Sequence, residues 1–237
     1  MSVFCFMSFQ ITAASRLNSV EEYYFSKKLK QIAALKESGV PIINLGIGSP
    51  DLAPSSETIV ALTESAANPG NHAYQGYQGI PALREAFASF YAKHYGVTIN
   101  PASEILPLIG SKEGIMHIAM AYLEKGDVTL IPNPGYPTYS AACSLAGATV
   151  ESYELSASNG WLPDLKALEK RDLSKVKIMW VNYPHMPTGA QATVEFFTEL
   201  RDFALRHSIL LVNDNPYSFI LNDRPLSMLS IPGMQEV

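Results

Sequence analysis

The stretch WVNYPHMPTGA, residues 180–190, ends an apolar, strand-like run at Val181 and passes at once into two prolines, a histidine and a Pro-Thr-Gly turn. Three other apolar runs break off as abruptly. ILPLI gives way to Gly110-Ser111-Lys112-Glu113-Gly114, DVTLI to Asn133-Pro134-Gly135-Tyr136-Pro137, and ILLVN to Asp214-Asn215-Pro216-Tyr217. A Gly-Ser pair opening a helix offers free backbone N–H groups, a hydroxyl and the positive end of the helix dipole, which together suit a phosphate. Serine is equally an ordinary helix cap. Tyr136, held between two prolines, is either an aromatic platform or a packed turn residue. Asp214 at the end of an apolar strand is costly unless paired, so it is a ligand carboxylate, a helix cap or half of a salt bridge. An anion nest, a ring, a kinked polar loop and a carboxylate together describe a site for a flat, charged small molecule.

The elements that must carry these residues follow from periodicity. Residues 16–35 have helical spacing (Leu17, Val20, Tyr24, Leu29, Ile32, Leu35), and Gly39 with Pro41 stops it. The extended run PIINLGIG follows, then a helix from about Ser55 to Ala67 and a break at NPGNHAYQGYQG. Pro81 stands where a first helical turn tolerates proline, ahead of an apolar stripe of Leu83, Phe87, Phe90 and Tyr91. From there strands alternate with helices: ILPLI, DVTLI, ATVESYEL, KIMWVN and ILLVN are read as strands, and residues 194–206 as a helix. Continuous apolar runs such as IMWV and ILLV suit strands covered on both faces. The expected fold is therefore α/β, a three-layer αβα arrangement with a mostly parallel sheet, and in such sheets ligands sit beyond the carboxyl ends of the strands.

Composition narrows the partners. The chain has 237 residues, 47% of them hydrophobic and 16% charged, with a formal net charge of -5. It carries no lysine or arginine run, which argues against a nucleic-acid or anionic-membrane surface. Cys5 and Cys143 are too few and too far apart for a disulfide framework or a metal site. No apolar stretch approaches a membrane span, and the apolar N-terminus MSVFCFMSFQI lacks the basic segment of a signal peptide. A cytoplasmic protein is expected, with residues 1–15 as a disordered or arm-like leader.

In order and approximate spacing, INLGIGSPDL, YQGYQGIPALREAFASFY, GSKEGI, NPGYPTY, NYPHMPTGA and DNPYSFI resemble the class I/II aminotransferases, fold-type I enzymes that use pyridoxal 5′-phosphate (PLP). The resemblance runs from about residue 16 to 237. It implies residues 16–45 as an N-terminal helix with a small-domain segment, and 46–237 as the PLP-binding large domain. It also implies that Gly110, Ser111 and Lys112 form the phosphate cup, that Tyr136 stacks on the pyridine ring, and that Asp214 pairs with the ring nitrogen. Tyr217 resembles the phenol that hydrogen-bonds the cofactor's phenolic oxygen. Tyr74 matches a tyrosine that reaches the phosphate of the neighbouring subunit, which implies a homodimer, and Gly46, Ile47 and Gly48 match the loop over the substrate. The implied activity is transfer of an amino group between an amino acid and a 2-oxo acid. PLP-dependent carbon–sulfur lyases, aminocyclopropane carboxylate synthase-like enzymes and non-catalytic PLP-binding regulators share these motifs. A nicotinamide dehydrogenase is set aside, because no Gly-x-Gly-x-x-Gly follows a strand.

Two departures from the family stand out. Met186 occupies the position of an asparagine that donates to the cofactor's phenolic oxygen, and a thioether donates nothing; Asn182 or His185 could stand in for it. The Schiff-base lysine, expected some tens of residues beyond the Asp-x-x-Tyr motif, is absent, since none of the eleven lysines lies beyond Lys177. The arginines of the phosphate and substrate sites are missing with it. These 237 residues alone are therefore expected not to turn over.

Overall fold

The computed structural model describes residues 11–19, 24–46 and 50–237. They fall into two compact units, one of Val20–Tyr77 and the other of the N-terminal stretch to Ser19 with Gln78–Val237.

In the smaller unit, helix α1 spans Tyr24–Glu37 and α2 spans Ser56–Ala67. The Ser55 hydroxyl caps α2 by accepting from the Thr58 N–H. The helix expected over 16–35 is thus shorter at its start. A 3₁₀ turn occupies Ser15–Ser19, and residues 20–23 lie outside the described set. The run expected to be extended forms no strand over 41–46.

The larger unit opens with α3, Pro81–Tyr95, which starts on its proline and ends at Gly96 in the left-handed region at φ 66°. It continues through α4 (Ser111–Tyr122), β1 (Val128–Asn133), α5 (Pro137–Ala146) and β2 (Thr149–Glu154). A single turn α6 (Leu165–Leu168), β3 (Val176–Val181), α7 (Val194–His207) and β4 (Leu210–Asn213) complete it. The four strands form one all-parallel sheet in the order β2-β1-β3-β4.

Strand β3 shows why the sheet has helices on both faces. Its side chains alternate, as strand geometry requires, and both sets are buried. Met179 and Val181 join a core with Phe196, Phe197, Leu200, Phe203 and Ala204 of α7. Ile178 and Trp180 join the opposite core with Ile115 and Ala119 of α4 and Tyr139, Ala142 and Cys143 of α5. The expected three-layer αβα architecture is therefore the observed one.

The segment ILPLI departs from its expected strand. Residues 105–109 pair with no strand among the described residues, and Leu106, Leu108 and Ile109 are exposed. Pro107 takes one N–H out of any ladder, and its ring packs on Gly79, 3.2 Å from where a β-carbon there would stand. Three strand ends, not four, thus face the region where ligands gather.

Candidate functional site

Those three strand ends and the start of α4 enclose a cavity of about 210 Å³ lined by Ser111, Tyr136, Tyr139, Asn182, Met186, Asp214, Pro216 and Tyr217. Six of these were singled out in the sequence from four separate segments, and the fold brings them together.

Each is placed by a local device. Gly110, at φ 86°, precedes the first helical residue of α4, a backbone conformation that favours glycine. Its turn leaves the first amides of the helix directed ahead of Ser111. On the β1 side, a β-carbon on Gly135 would stand 2.3 Å from the Pro132 carbonyl oxygen, so only glycine fits the turn that delivers Tyr136. On the other side, the β3–β4 ladder extends by one bond, from the Asp214 N–H to the Val181 carbonyl at 3.0 Å. The Asn213 side chain accepts from the Tyr183 N–H at 3.0 Å and ties the 182–190 loop to β4.

Asp214 is half-buried, and burial raises its pKa above the usual carboxylate range. Oδ2 accepts a 2.9 Å hydrogen bond from the Tyr139 hydroxyl, which works against that shift. Burial, with Asp214 beside it, pushes the Tyr139 phenol well up, so Tyr139 stays a donor. Tyr139 was not singled out from the sequence. The signal was its position three residues after Tyr136, one turn into α5, where a helix starting at Pro137 returns to the sheet. It is the partner that a buried strand-end carboxylate calls for, and its ring stacks on Trp180 at 5.2 Å and 11°.

The kinked loop uses its polar groups internally. Asn182 is buried; its Oδ1 accepts from the Met186 N–H at 2.8 Å and its Nδ2 donates to the Asp214 carbonyl at 2.5 Å. His185 is buried as well, with Nδ1 2.7 Å from Thr188 Oγ1 and Nε2 3.2 Å from the Pro134 carbonyl. Burial lowers its pKa. Both ring nitrogens of His185 are thus engaged, whereas Asn182 spends only one of its two amide N–H donors. The Tyr217 hydroxyl donates to the Met186 sulfur at 3.4 Å.

Lys112 is not among the residues lining the cavity, and its ammonium lies 5.8 Å from the centre of the Tyr136 ring, which is. Gly46 and Tyr74 belong to the smaller unit, where the Gly46 N–H donates to Asn44 Oδ1 at 2.9 Å and Tyr74 is exposed. Ile47 and Gly48 lie outside the described residues. Among the described residues no lysine lines the cavity and no cluster of histidine, cysteine or acidic side chains could hold a metal.

The start of α4, the Tyr136 ring and the Asp214 carboxylate thus meet at the strand ends of an all-parallel αβα sheet. The aminotransferase class I and II profile matches residues 40–232, and the chain belongs to that family. It is 42% identical over 226 residues to the LL-diaminopimelate aminotransferase of Dehalococcoides mccartyi, and 43% identical to that of Moorella thermoacetica. Each alignment covers 94% of this chain and 58% of the relative, so the chain spans little more than half the length of these proteins. Among solved structures, substrate-bound BacF from Bacillus subtilis superposes with a TM-score of 0.87 at 36% identity, covering 97% of this chain and 58% of that one.

Proposed function

We propose that the cavity binds PLP and that the chain is the cofactor-holding part of an aminotransferase acting on an amino acid and a 2-oxo acid. The observation that carries this reading is the convergence of Asp214, Tyr136 and the Gly110-Ser111 turn on one cavity. The donor set fits the group. Only one oxygen of the Asp214 carboxylate is engaged, by Tyr139, which leaves Oδ1 for a ring N–H. Amides of the first α4 turn and the Ser111 hydroxyl suit the phosphate, Tyr136 offers a ring face, and Tyr217 holds a hydroxyl at the cavity wall.

Bound there, PLP would supply an electron-withdrawing ring that stabilises negative charge on the amino acid's α-carbon. The chain's own contribution is to set that ring's charge and position. Asp214 would hold a proton on the ring nitrogen, and Tyr139 favours the ionised form of Asp214 by donating to it. Tyr217, whose hydroxyl donates to the Met186 sulfur, would instead be able to donate to the phenolic oxygen. The residue that links covalently to PLP in the family has no counterpart at the cavity, so we assign these 237 residues binding without turnover.

The resemblance supports a cytoplasmic homodimer in which Tyr74 of the partner subunit reaches the phosphate and the Gly46-Ile47-Gly48 loop covers the substrate. No helix among the described residues is long and apolar enough to cross a membrane. Similarity to the two LL-diaminopimelate aminotransferases makes diaminopimelate the first amino acid to assay once a full-length enzyme is in hand.

The reading is tested by titrating PLP and, separately, pyridoxal, which lacks the phosphate. Charged hydrogen bonds from the α4 amides and Ser111 contribute roughly 1.5–3 kcal/mol, so PLP is expected to bind at least about tenfold more tightly. Equal affinities would remove the phosphate nest from the account.

A further inference from the structure

We propose that His185 is a positioning residue that clips together two of the loops lining the cavity, and so fixes the space left for a flat ring. The proposal rests on the PLP reading above and adds to it the residue that fixes the spacing of the Tyr136 and Met186 walls.

The argument starts from what the imidazole can donate. Its Nε2 stands 3.2 Å from the Pro134 carbonyl, which only accepts, so Nε2 carries the proton. In the neutral ring Nδ1 is then an acceptor, and the Thr188 hydroxyl 2.7 Å away donates to it. Thr188 Oγ1 in turn accepts from the Ala190 N–H at 3.3 Å. The result is one directed chain: Ala190 amide, Thr188 hydroxyl, His185 ring, Pro134 carbonyl. Every polar atom of the buried imidazole is satisfied, which is what retains a histidine in a core.

The two ends of this chain lie on different loops. Pro134 is two residues before Tyr136, and Thr188 is two residues after Met186, and both Tyr136 and Met186 line the cavity. Around the histidine the loop closes on itself, with the His185 N–H donating to the Ala190 carbonyl at 2.8 Å and the Gly189 N–H to the His185 carbonyl at 2.7 Å. That tight turn makes the Met186 wall a rigid unit. No other hydrogen bond among the described residues joins the 134–136 turn to the 185–190 turn. The Tyr183 ring, 5.8 Å from the imidazole, packs against Phe196 and Phe197 and so ties the histidine to the core. Walls fixed before a ligand arrives need no ordering when it binds, so a clip of this kind shows as affinity and not as a new contact.

The test compares PLP affinity in the wild-type chain with His185→Phe, His185→Gln and Thr188→Val, each first checked for a cooperative thermal melt. Phenylalanine keeps an aromatic ring, somewhat larger than imidazole, and removes both hydrogen bonds. Glutamine reaches with its amide toward the Pro134 carbonyl and restores the bond between loops. Binding by His185→Phe is expected to be about fivefold weaker, with His185→Gln within about twofold of wild type and Thr188→Val in between. A role confined to filling the core would instead let phenylalanine serve as well as glutamine. Wild-type affinity in both His185→Phe and Thr188→Val overturns the clip while leaving the PLP reading in place. Should His185→Phe fail to melt cooperatively, Thr188→Val decides alone, weaker binding supporting the proposal and unchanged binding overturning it. Absence of saturable PLP binding in the wild-type chain overturns the PLP reading and the clip with it.

Discussion

Asp214→Asn should stabilise the cofactor-free chain and at the same time weaken its hold on PLP by about tenfold or more. The carboxylate is half-buried with its pKa raised by burial, so the folded state binds a proton more tightly than the unfolded state does. A group shifted in that direction contributes stability that is fully present below its unfolded pKa and is lost as pH rises through the folded value. At neutral pH the charge is therefore a net burden on the fold. An asparagine carries no charge and its carbonyl oxygen still accepts from Tyr139, which is 2.9 Å from Oδ2. The melting temperature should accordingly rise at pH 7, and the difference from wild type should vanish in acid. Binding moves the other way. Replacing a charged pairing with the ring nitrogen by a neutral contact removes roughly 1.5–3 kcal/mol, or about 10- to 100-fold in affinity. Thermal melts at two pH values and a PLP titration check both halves. A variant that is less stable at pH 7, or binds as tightly as wild type, contradicts the assignment of Asp214.

Trp180→Ala is expected to have the largest effect on stability. Trp180 lies fully buried on the central strand β3, in the core formed with α4 and α5, where truncation of a large aromatic costs about 3–5 kcal/mol through lost burial and the cavity left behind. The consequence reaches the site. Tyr139 stacks on this indole at 5.2 Å, and it is the Tyr139 hydroxyl that donates to Asp214. Chemical denaturation followed by far-ultraviolet circular dichroism should show the midpoint falling sharply, and PLP affinity measured well below that midpoint should fall as well. Trp180→Phe, which keeps a ring under Tyr139, should recover most of both. Loss of stability of less than about 1 kcal/mol in Trp180→Ala would mean that the core closes over the gap and that β3 is not its centre.

The fold was legible because strands β1, β3 and β4 are continuous apolar runs, and such runs carry their own message of burial on two faces. ILPLI carries the same message and was misread. A strand is defined by its neighbours, and apolar content alone says nothing of whether a ladder partner exists for Ile105–Ile109. Of the site, the residues at strand ends could be found because strand termini can be located from periodicity. Tyr139 and the contacts of His185 could not, since they are hydrogen bonds to atoms 75 and 51 residues away. Asn182 illustrates the same point in reverse. Its type suggested a donor for a ligand, yet its carbonyl oxygen and one of its two N–H groups are engaged by the loop and by Asp214. Lys112 sits beside the anion nest in sequence, whereas the geometry sends its side chain toward the face of Tyr136.

The account turns on a cavity that holds PLP through the ring nitrogen, ring face and phosphate without a lysine to bind it covalently. The direct measurement is an absorbance spectrum of the chain saturated with PLP, treated with borohydride, dialysed and mapped by peptide mass spectrometry. Saturable binding that dialysis removes, with no borohydride-fixed lysine at the cavity, is the predicted result. Stoichiometric fixation at a single lysine, Lys112 above all, would contradict it by showing that an amine of this chain does reach the bound aldehyde.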